Sequence, residues 1–91
     1  MRVEITRDGR RGSVEYDAAS RAVRVEFDGP RAAVERHLTA PREFRIPESN
    51  GVDDFRTETA RPTESRTHVE LALCTLYEET GFWVEWETLK D

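Results

Sequence analysis

The chain has 91 residues, of which 36% are hydrophobic and 36% charged, and a net charge of -5 at pH 7. That length admits one core and no second domain, so 1–91 reads as a single small domain built on a few well-placed apolar residues. The acidic balance disfavours nucleic-acid and anionic-membrane binders, which need a basic face, and no stretch is apolar enough to span a bilayer.

The first third alternates apolar and polar residues with the period of half-buried strands. Val3 and Ile5, then Val14 and Tyr16, then Val23, Val25 and Phe27 define one apolar face. The turn "DGRRG", with Gly9 and Gly12 free to take positive φ, and the turn "DAAS" connect them. Three antiparallel strands in a meander are expected.

"DGPRAAVERHLTAP" predicts a short helix capped by Asp28 or Gly29, with Pro30 in its first turn and Pro41 closing it. Pro30, Val34, His37 and Leu38 share its apolar stripe. In the segment 43–57, Asn50-Gly51 signals a hairpin with Ile46 opposite Phe55, and Pro47 demands an edge or irregular strand. "TETARPTESRT" lacks apolar periodicity and reads as an exposed connection.

A second helix follows, with Thr67 and Glu70 as a capping box; a start at Thr63, after Pro62, is the alternative. Val69, Ala72, Leu73, Leu76, Tyr77 and Thr80 form its core face, and Gly81 stops it. Phe82, Val84 and Trp86 then alternate with Trp83, Glu85 and Glu87 in a last strand that returns to the sheet. The expected fold is α+β: a mainly antiparallel sheet, the meander plus the C-terminal strand, with two helices on one face.

Chemistry-bearing residues are sparse. His68 with Glu64 and Arg61 marks a polar site on the 58–68 connection, but a histidine and one carboxylate fall short of a metal's ligand set. Ser65 three residues before His68 suits a helix cap better than a nucleophile. His37 belongs to an apolar edge, and Cys74 has no basic neighbour at helical spacing to activate it. No phosphate-cradling glycine loop occurs, and nothing calls for a cofactor or metal. Arg10, Arg11, Arg42, Arg45, Arg56, Arg61 and Arg66 could serve RNA together with Trp83, but acidic neighbours favour local pairing.

Leu71 and Cys74 project away from the main helical stripe, and Trp83 away from the core side of its strand. This second apolar surface implies contact with another chain, a second copy or another protein, or else with another element of the fold, the first helix or the 43–57 segment. The expectation is a small cytoplasmic protein-interaction or self-associating module without catalysis. The single cysteine and the absence of a signal-like start fit that compartment. A ligand-binding or enzymatic domain using 58–68 is the first alternative, and an RNA-binding accessory protein the second.

Overall fold

A computed structural model describes residues 1–48 and 55–91 of the chain. Strands β1 (Arg2–Arg7), β2 (Arg10–Asp17) and β3 (Ala22–Glu26) form the expected antiparallel meander. Between β1 and β2, Asp8 and Gly9 both take positive φ, 53° and 78°, which suits the twist of a two-residue hairpin turn. Gly12 lies inside β2, not in that turn as expected. A Cβ there would stand 2.2 Å from Glu26 O and 2.8 Å from the Phe27 ring. The missing side chain makes room for Phe27, which meets Phe82 edge to face at 4.8 Å.

Helix α1 (Ala32–Thr39) buries Val34, His37 and Leu38, as its periodicity predicts. Its start differs from expectation. Arg31 occupies the N-cap without a side-chain hydrogen bond, and Pro30 is exposed ahead of the helix. Ala40, before Pro41, turns extended at φ -74° and ψ 138° and ends the element.

Strands β4 (Arg42–Pro47) and β5 (Phe55–Ala60) pair in a separate two-stranded antiparallel sheet, where every strand is an edge and Pro47 is tolerated. The register sets Pro47 opposite Phe55 and Ile46 opposite Arg56, one residue away from the expected Ile46–Phe55 pairing. The Asn50-Gly51 turn lies outside the described residues. The exposed connection expected after the hairpin is also revised. Residues 57–60 are strand, and a 3-10 turn over Pro62–Glu64 buries Pro62 and Thr63. Tyr16 Oη donates to Thr63 O at 2.8 Å and ties that turn to the sheet.

Helix α2 (Arg66–Cys74) is capped by Ser65, whose Oγ accepts from the His68 backbone N–H at 3.2 Å. Ser65 thus replaces Thr67 as the capping residue. The single helix expected to reach Thr80 breaks at Thr75, and a short helix α3 (Leu76–Thr80) continues. Three donors converge on Ala72 O at the break: the Thr75 N–H (3.2 Å), Thr75 Oγ1 (3.1 Å) and His37 Nε2 (2.7 Å). Gly81, at φ 79°, then supplies the left-handed stop, its N–H donating to Tyr77 O at 2.8 Å.

Strand β6 (Trp83–Lys90) joins β1 to give the sheet order β3-β2-β1-β6. The fold is α+β as expected, with the helices packed on one face of the four-stranded sheet. One core joins Val3, Ile5, Val14, Tyr16 and Val25 of the meander to Val34, Leu38, Val69, Leu73, Leu76, Phe82 and Val84. Burying each such side chain contributes about 1.5–3 kcal/mol.

The alternation of β6 fails halfway. Thr6 pairs with Trp83, Ile5 with Val84 and Glu4 with Glu85, but the next pair is Arg2 with Lys90. From Glu85 to Lys90 the strand takes a bulge against the short step from Glu4 to Arg2. Thr88 stands in for the missing ladder: the Glu4 N–H donates to its Oγ1 at 2.9 Å, and that hydroxyl donates to Glu85 O at 2.6 Å. Trp86, expected beside Phe82 and Val84, is therefore carried out of the core to 39% exposure, while Leu89 packs against it.

Candidate functional site

Leu71 and Trp83 are 39% and 54% exposed, and Cys74 is exposed as well. Cys74 and Trp83 line one cleft of about 130 Å³ together with Leu73, Tyr77, Val84 and Trp86. Leu71 stands one turn before Cys74 on α2 and lies outside that lining. Two further aromatics therefore belong to the surface that Leu71, Cys74 and Trp83 announced. Tyr77 is 57% exposed and meets Trp83 edge to face, ring centroids 5.5 Å apart. The helix break at Thr75 turns it out of the stripe that an unbroken helix would bury. Trp86 arrives through the bulge.

The surface lies along β6, an edge of the four-stranded sheet. Glu85 and Glu87 flank Trp86 in the chain. Hydrogen bonding to the Glu87 carboxyl pushes the Glu85 carboxyl up, against Thr6 and the Arg11 cation, which pull it down. Thr6 Oγ1 donates to Glu85 Oε1 at 3.3 Å. Glu78, next to Tyr77, is exposed and has no ion pair among the described residues.

The polar group expected on 58–68 does not assemble. Glu64 turns to Arg21, with Nη1 to Oε2 at 3.0 Å, and Arg61 is exposed on the extended link before the 3-10 turn. His68 is buried in the first turn of α2. It stacks on Phe44 with ring centroids 4.5 Å apart, and its Nε2 lies 3.5 Å from Glu58 Oε1. Its Nδ1 has no partner among the described residues. No three His, Cys, Asp or Glu side chains gather there as a metal would require, among the described residues.

His37 is buried where α1 meets the helix break. Ala72 O can only accept, so Nε2 carries the hydrogen and Nδ1 accepts from Arg42 Nη2 at 2.9 Å. Arg42 Nη2 also donates to His37 O at 2.9 Å. Burial, and next to it the Arg42 cation, hold the His37 imidazole below the ordinary histidine range against the opposing pull of the Ala72 carbonyl. This network fastens α1, α2 and β4 together, and His37 and Arg42 also line a cleft of about 270 Å³ with Arg36, Glu79 and Thr80.

The arginines do not converge on Trp83. Arg11 pairs with Glu4, Arg56 with Glu58 and Arg66 with Glu70, while Arg10 donates to Asp28 O. Arg42 faces His37, and Arg45 lies over the Phe55 ring at 4.3 Å. No helix among the described residues is long and apolar enough to cross a membrane. Compared with protein-family models, with curated proteins and with solved structures, the chain matches none of them.

Proposed function

We propose that the chain is a non-catalytic protein-interaction module of the cytoplasm, with Leu71, Cys74, Tyr77, Trp83 and Trp86 as its contact surface. The observation that carries this reading is the clustering of exposed apolar side chains around one cleft in a chain only 36% hydrophobic. Two tryptophans and a tyrosine left outside the core offer large, stiff contact area with polar tips, the residue types that anchor interfaces. Aromatics in such numbers stabilise little while wet. The enzymatic alternative has less behind it, because His68 and Glu64 are engaged with separate partners.

The test is recovery of bound protein by the tagged chain in its native host, with light scattering across a concentration series to detect a second copy. Wild type is expected to recover a partner that Trp83→Ala loses, with an unchanged circular dichroism spectrum. Equal recovery by wild type and a folded Trp83→Ala variant contradicts the reading.

A further inference from the structure

We propose that a second copy of this chain pairs along β3, antiparallel and about a two-fold axis through Val25, so that the two sheets become one. This edge is the opposite one from β6 and its contact surface, and the inference stands apart from the reading above. The phase of the ladder is set at β2. The Met1 amino group donates to Tyr16 O at 3.0 Å, and the Tyr16 N–H to Met1 O at 2.8 Å. Tyr16 and Val14 therefore turn their backbone groups toward β1, while Glu15 and Ser13 turn theirs toward Arg24 and Glu26 of β3. The N–H and C=O groups of Val23 and Val25 are left pointing off the edge.

Two observations favour the same strand of a second copy as their partner. First, β3 runs in unbroken register against β2 from Ala22 to Glu26, with no proline and without the bulge that interrupts β6. Second, charges alternate across the outer face of the sheet. Arg2 of β1 meets Glu15 of β2 at 3.7 Å, and Glu15 stands opposite Arg24. Arg24 and Glu26, both exposed, share that face and pair with each other along the strand. An axis through Val25 sets Arg24 against the partner's Glu26 on both sides of the axis, so the alternation runs on into the second copy. The neighbouring registers that keep the hydrogen bonds in phase, centred on Arg24 or on Glu26, oppose like charges instead. An exposed pair within one strand contributes little, so exchanging it across the axis costs little. A strand of five residues makes a small interface, and the dimer is weak.

The test is light scattering on the full chain up to about 1 mM, the range of weak association. The wild-type mass is expected to rise toward twice the monomer's, and the Val25 amide to gain protection from hydrogen exchange as it does. Arg24→Glu and Glu26→Arg each oppose like charges across the axis and should weaken the dimer about tenfold, with circular dichroism unchanged. The double variant restores opposite signs and should recover wild-type association, which loss of fold would not allow. Trp83→Ala should associate as wild type does. A chain that stays monomeric at about 1 mM overturns the proposal. So does association insensitive to both charge reversals, or a double variant no tighter than the single ones. A dimer lost in Trp83→Ala and kept in Arg24→Glu also overturns it, and moves self-association to the contact surface.

Discussion

Phe82 and Trp83 are neighbours in the chain and opposites in the fold, one fully buried and the other half in water. The same contrast runs through residues 71–89. Leu73, Leu76, Phe82 and Val84 close the core under the sheet, whereas Leu71, Cys74, Tyr77, Trp83 and Trp86 face outward from the same elements. One set stabilises the chain, and the other leaves most of its area wet. Helix azimuth and strand alternation separate them, and two local breaks, at Thr75 and at the β6 bulge, add Tyr77 and Trp86 to the outer set.

The largest expected effect comes from deleting the chain from Phe82 onward. That removes β6 and three side chains packed in or against the core, Phe82, Val84 and Leu89. Each fully buried one contributes about 1.5–3 kcal/mol, and a small domain's whole margin is about 5–15 kcal/mol. No cooperative thermal transition should remain. A melt at the parent temperature would mean that the core does not need this segment.

Phe82→Ala is expected to cost about 3–5 kcal/mol by chemical denaturation, as emptied aromatic sites do. Trp83→Ala should cost clearly less, because the indole is half in water and loses, beyond its buried area, only an edge-to-face pairing with Tyr77 worth about 0.5–1.5 kcal/mol. Comparable losses for the two variants would erase the division between core and surface.

His37 sharpens the buried side of the contrast through pH. Its folded imidazole lies below the unfolded value, so the folded state binds fewer protons. Stability is complete above the ordinary histidine value of about 6.5 and declines as pH falls through it toward the folded value. The decline between about pH 7.5 and 5 should be steeper in wild type than in His37→Gln. Identical slopes would place the imidazole outside the stabilising network. His37→Ala should also destabilise at neutral pH, by about 1–3 kcal/mol, because Ala72 O and Arg42 lose their buried partner.

Much of this fold was legible in the residues. Period-two alternation located β1, β2 and β3, the Val34–His37–Leu38 stripe located α1, and Gly81 marked the end of α3. What escaped depends on contacts distant in sequence. The break at Thr75 follows from His37, far upstream, donating to Ala72 O, and without it Tyr77 belongs to the core stripe. Trp86 leaves the alternation because Thr88 takes over a ladder bond from Glu4, which no pattern inside β6 announces. The later half of β5, beyond the hairpin expected over 43–57, escaped for another reason. It is polar on both faces, Thr57, Glu58 and Thr59 among them, so it carries no period for the eye to find. Of the contact surface, Leu71, Cys74 and Trp83 were legible, and Tyr77 and Trp86 were not.

The central claim is that the outward set acts on a partner and not on the fold, and Leu71→Glu tests it most directly. Denaturation midpoint and recovery of bound protein are measured on the same preparation. The account predicts a stability change within about 0.5 kcal/mol, as for an ordinary surface substitution, and loss of the partner that wild type recovers. An unfolded Leu71→Glu variant would place that leucine in the core. A folded variant that recovers the partner undiminished would contradict the account.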